Sequence, residues 1–103
     1  MDSKILENKF NADIMESIEE SKKIGYNPTR FIQMLSETNG NAYELAMTLV
    51  SKGITLGLEN LWEKGRLDLT MEARIIKPEF QELFPKEVVD VCRKKLEKFG
   101  YKV

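Results

Sequence analysis

Three carboxylates stand close together in residues 61–72, LWEKGRLDLTME: Glu63, Asp68 and Glu72. Convergent carboxylates can hold a divalent cation, which then activates water or polarises a phosphoryl oxygen. A second acidic set, Glu16, Glu19 and Glu20, lies further upstream, with Glu16 and Glu20 on one helical face. Neither set has the companions such chemistry needs. The chain has no histidine and one cysteine, Cys92. It therefore lacks the usual general base near neutral pH, an intrachain disulfide and a ligand set for structural zinc. Residues 51–57, SKGITLG, carry glycines without the GKS or GKT of a phosphate loop. Acidic groups spaced along helices read as solvated faces, so no catalytic residue, metal or cofactor is expected.

Basic residues offer the other chemistry. Residues 85–103 hold six positive and three negative charges, while residues 1–24 hold four and six. Arg93, Lys94, Lys95, Lys98 and Lys102 crowd the last predicted helix and its tail, where they could contact phosphates. Arg30 and Arg66 are the other candidates for such a surface. The structural alternative is that the last-turn lysines complement the negative end of the helix dipole. A net charge of −1 gives the whole molecule little attraction for a polyanion. The segment around TNGN, residues 38–41, resembles a helix-turn-helix corner, but the helix after it is poor in basic donors for base edges. Convergence of Arg30, Arg66, Arg74 and the last-helix lysines would favour nucleic acid. Scatter, with an apolar surface elsewhere, would favour a protein partner.

The elements that carry these residues are all helical. Residues 3–24 show apolar positions Ile5, Leu6, Phe10, Ile14, Met15 and Ile18 at three- and four-residue steps, predicting one long helix capped at Ser3 and closed by Gly25. Asn27 is the expected cap of a second helix with Pro28 at its first position and Phe31, Met34 and Leu35 inward. Asn41 and Glu44 form a capping-box pattern before Ala42, Leu45, Ala46 and Leu49. A short helix is expected from Thr55 to Lys64, with Leu58, Leu61 and Trp62 inside and Gly65 closing it. Arg66–Leu69 reads as an extended link with Leu67 and Leu69 to one side and an Arg66–Asp68 pair. Thr70 caps the next short helix, with Glu72 in its positive first turn. Pro78 restarts a turn through Phe80, Leu83 and Phe84. A last helix spans 85–99 with Val88, Val89, Cys92, Leu96 and Phe99 inward and Gly100 as its stop. No strand or repeat is predicted.

The expectation is an all-α, compact, non-repeating bundle of five to six helices that forms one domain over residues 1–103. Its length suits one domain, and 42% apolar with 32% charged residues is a globular balance. Trp62, Leu61, Phe31, Leu35, Phe80, Leu83 and Phe84 are expected in one core, and Cys92 as a buried, inert thiol. With no apolar run long enough to span a bilayer and no signal-like start, a cytoplasmic protein is expected.

Residues 25–101 resemble a small helical domain of unassigned function that recurs in uncharacterised bacterial and phage proteins, alone or beside other domains, including nucleases. The resemblance rests on Tyr26-Asn27-Pro28, Leu61-Trp62, Gly65-Arg66-Leu67-Asp68-Leu69-Thr70, Glu72-Ala73, Pro78, Phe80, Leu83-Phe84 and Gly100-Tyr101. It implies a fold but brings no chemistry. Gly65, Asp68, Thr70 and Trp62 are read as structural residues of the corner. The expected function is a non-enzymatic protein-interaction or adaptor domain, with a homodimer through the long first helix as one form of partnership. A nucleic-acid-binding accessory module is the alternative.

Overall fold

The structure, a computed structural model, describes residues 3–102. Its helices are α1 (Ser3–Lys23), α2 (Thr29–Glu37), α3 (Ala42–Ser51), α4 (Leu58–Glu63), α5 (Met71–Ile75) and α6 (Lys86–Lys98), with 3₁₀ turns at Leu67–Leu69 and Pro78–Phe80. No strand occurs among the described residues. None of the helices is long and apolar enough to cross a membrane.

The chain folds around α5. All five of its residues are buried. It packs most closely on α6 and also on α1, while α1 lies along α3. Leu6, Phe10, Ile14 and Ile18 form the buried side of α1, as their spacing predicts. Ile5 and Met15 do not join it; they are about half exposed. Their places on that side go to Ser17 and Ser21, whose hydroxyls donate to the carbonyls of Ile14 and Ser17 at 2.8 Å each. Small hydroxylated residues satisfied by their own helix let neighbouring elements approach without leaving a polar group unpaired.

Phe31, Leu35, Phe80, Leu83 and Phe84 meet in the main core with Phe10, Leu49 and Ile75. The Phe10 ring meets Phe80 and Phe84 edge-on, with centroids 5.2 and 4.9 Å apart. A smaller cluster of Leu58, Leu67, Ala73 and Leu96 lies where α4, α5 and α6 converge, with Phe99 and Tyr101 packed against it.

Side-chain caps close the starts of α3 and α5. The Asn41 side chain accepts from the Glu44 N–H at 3.0 Å, as the capping pattern predicts. Asn11 of α1 accepts from the Ala42 N–H at 2.8 Å, so the same end is also tied to the long helix. Thr70 accepts from the Ala73 N–H at 3.1 Å and donates to the Leu67 carbonyl at 2.7 Å, which joins the 3₁₀ turn to α5.

Several expected boundaries move. Pro28 and Pro85 are the cap residues of α2 and α6, one place earlier than first helical positions. Ser3, expected as the cap of α1, is already a helical residue of it. α4 begins at Leu58, because Gly57 takes the left-handed conformation, with φ +77°. Tyr26 lies against that backbone, and a Cβ at Gly57 would meet its hydroxyl. Leu67–Leu69 is a 3₁₀ turn where an extended link was expected, yet Leu67 and Leu69 are buried and Asp68 faces outward as the pattern predicts.

Candidate functional site

The corner that follows α4 is built from charge pairing. Gly65 turns left-handed with φ +70°. Arg66 Nε and an Nη donate to the two carboxylate oxygens of Asp68 at 3.0 and 3.2 Å. That fork holds the Asp68 carboxyl below its ordinary range. It commits the two groups to each other, although both stay partly exposed. Arg74 is more deeply committed. It is 5% exposed, donates to the Asp68 carbonyl at 3.0 Å, and pairs with Asp13 at 2.6 Å and Glu16 at 3.2 Å. Lys77 reaches the other Asp13 oxygen at 2.6 Å. One arginine thus ties α1, α5 and the corner together.

The carboxylates that suggested a metal do not converge. Asp68 is engaged by Arg66, Glu63 is exposed, and Glu72 is buried. Among the described residues no group of three or more Asp, Glu, Cys or His side chains is placed to hold a metal ion. Glu16 turns to Arg74, while Glu19 and Glu20 pair with Lys22 and Lys23 on the surface. A partly open pocket between α1, Tyr26 and Met71 has a volume of about 30 Å³. That is room for a water or two and excludes a substrate.

Glu72 is the residue that the sequence reading placed least well. It does stand in the first turn of α5, but it is 1% exposed and neither carboxyl oxygen has a hydrogen-bond partner. Burial is the main reason its pKa is raised; the nearness of its own backbone N–H, outside hydrogen-bond geometry, and of Lys95 opposes that more weakly. Cys92, on the facing side of α6, is fully buried, and burial followed by the nearby Glu72 pushes its thiol up to about 12. Its burial is what its place on the apolar stripe predicts.

Trp62 departs from the expected core altogether. It is 47% exposed, although its neighbour Leu61 is buried. The six-residue α4 turns one face inward through Leu58 and Leu61, which leaves Trp62 on its flank. There it meets Phe99, ring centroids 5.5 Å apart and planes at 61°. Two depressions flank the pair. One is lined by Thr55, Leu58, Glu59, Lys95, Lys98 and Phe99, and the other includes Trp62, Gly65, Asp68, Tyr101 and Lys102. An exposed tryptophan on a packed aromatic neighbour, with a mixed charged border, has the composition of a binding hot spot.

The basic candidates scatter. Arg74 and Arg66 are held in ion pairs. Arg93 lines a different depression, with Gln81, Phe84 and Lys86. Arg30 stands exposed on α2, and Lys94 is exposed on α6. Lys95 and Lys98 alone of the six candidates border the aromatic pair, joined there by Lys102. The exposure of Trp62 had no signal in the sequence, because its spacing from Leu58 and Leu61 also fits an inward face. No protein-family model matches the chain, and no curated protein and no solved structure matches it.

Proposed function

We propose that this chain is a non-enzymatic protein-interaction domain, of the bacterial or phage kind that residues 25–101 resemble, and that it docks its partner on the Trp62–Phe99–Tyr101 face. The observation that carries the reading is the 47% exposure of Trp62 against Phe99 in a chain whose other large aromatic anchors, Phe10, Phe80 and Phe84, are buried. Tryptophan and tyrosine supply large contact area with few rotors to freeze, and interfaces concentrate their energy in such residues. The border is mixed: Lys95, Lys98 and Lys102 stand beside Glu59 and Asp68. A mixed border suits a folded or peptide partner with both signs of charge. A polyanion asks for a continuous positive track.

Nucleic acid is the second reading, favoured by one observation: Lys102 lies beside the exposed Trp62 and Lys95 and Lys98 lie beside its ring neighbour Phe99, and bases stack on such rings. Trp62 is the chain's only tryptophan, so its fluorescence reports directly on this face. The test is titration with single-stranded DNA and RNA through a stepped salt series, beside affinity capture from the native cell extract with wild type and Trp62→Ala. Retention of a discrete protein by wild type and its loss with Trp62→Ala is the expected result. Saturable quenching by nucleic acid that weakens steeply with salt and is lost in Lys95→Glu/Lys98→Glu would replace the first reading with the second.

A further inference from the structure

We propose that Glu72 is a proton latch between α5 and α6: protonated, it lets the two helices close, and ionised, it drives α6 to loosen. The geometry carries this. Glu72 lies on α5, which packs extensively on α6; it is 1% exposed, with both oxygens lacking a hydrogen-bond partner. A neutral carboxyl tolerates that setting far better than a carboxylate, which needs several donors or a cation.

The surrounding charges leave few ways to meet it. From α6, the Cys92 thiol and the Lys95 ammonium lie near enough to interact electrostatically with it. Within α5, Arg74 is engaged by Asp13 and Glu16 of α1. Lys77 is shared between Asp13 and Glu79. In the 3₁₀ turn before α5, Asp68 is occupied by Arg66. Among the described residues, Lys95 is therefore the cation near Glu72 that forms no ion pair. It is half-buried and stands on the same helix as Cys92, one turn further on. Moving α6 outward is the route by which an ionised Glu72 gains water.

The sign follows from burial. A carboxyl whose folded pKa is raised contributes stability that is full below the ordinary carboxyl value and is lost as pH rises through the folded value. Closure is thus favoured by acid, opposite to the usual paired carboxylate. The C-terminal half of α6 bears Leu96, and Phe99 follows it, so loosening α6 also disturbs the Trp62 face. The latch itself does not depend on what docks there.

Cys92 supplies the readout, since it is fully buried on α6 and reacts only when that helix opens. Its alkylation rate is measured from pH 4 to 9 and divided at each pH by the rate for the unfolded chain. NMR follows the Glu72 side-chain carboxyl over the same range. In wild type the normalised rate is expected to climb by up to about tenfold per pH unit inside the window, with the carboxyl midpoint above the ordinary glutamate value. Glu72→Gln flattens the climb, and Lys95→Met moves the carboxyl midpoint upward. A Glu72 midpoint at the ordinary carboxyl value overturns the proposal, as does an unchanged slope in folded Glu72→Gln. Should that variant not fold, the wild-type carboxyl midpoint decides alone.

Discussion

Arg74 sits where one side chain can be removed and the cost read directly. Its partner Asp13 has an 11% exposed side chain and would keep only Lys77, so Arg74→Leu leaves a largely buried carboxylate underpaired. Breaking one side of a buried pair typically costs about 3–5 kcal/mol. Lys77→Leu should cost well under half of that, because Lys77 is 34% exposed and Arg74 still holds Asp13. Urea denaturation of the two variants checks the order. Glu72 and Asp68 should act oppositely on the pH profile of stability. The depressed Asp68 carboxyl contributes above the ordinary carboxyl value and loses that contribution as pH falls, weakly because the Arg66 pair is largely solvated. Glu72 lowers stability as pH rises from the ordinary value towards its raised one. Glu72→Gln should therefore raise the neutral-pH melting temperature relative to the acid one. The Arg66–Asp68 pair was legible in the sequence because its members lie two residues apart. Asp13 and Arg74 lie 61 residues apart, and only the packing of α1 on α5 brings them together.

Helix ends make separable predictions. Thr70→Ala removes an acceptor for the Ala73 N–H and a donor to the Leu67 carbonyl, at a cost of about 1–2 kcal/mol. Gly57 and Gly53 both have positive φ, +77° and +69°. A Cβ at Gly57 would strike Tyr26, while one at Gly53 would meet open space. Gly57→Ala should thus destabilise more than Gly53→Ala, which carries only the conformational penalty of about 1 kcal/mol. Thermal melts of the pair separate collision from backbone strain. The caps at Asn41 and Thr70 were readable because a cap is a local event. The start of α4 was not, since Thr55 is a chemically sound cap and it is Tyr26, far back in the chain, that lies over Gly57. The same short helix misled the reading of Trp62: a six-residue helix has one inward face, and Leu58 and Leu61 occupy it.

At the scale of the whole molecule, the all-helical bundle follows from apolar periodicity, and its surface follows from what that periodicity leaves over. Among the described residues, Ile5, Met15, Trp62 and Val91 are the exposed large apolar ones. The first two lie on α1, where the sequence suggested pairing with a second copy. Sedimentation across a concentration series tests that pairing, with Met15→Glu as the variant that abolishes it. Trp62 belongs to the other surface. Its truncation to alanine should cost far less stability than Phe10→Ala, for which about 3–5 kcal/mol is typical of a buried aromatic, while removing partner binding. The most direct measurement is photo-crosslinking in the native cell with a photoreactive phenylalanine analogue at position 62, and at position 30 on the exposed side of α2 for comparison. The account predicts a discrete protein adduct at 62, absent at 30 and resistant to nuclease. Adducts that nuclease removes, or none at 62 above the level at 30, would contradict it.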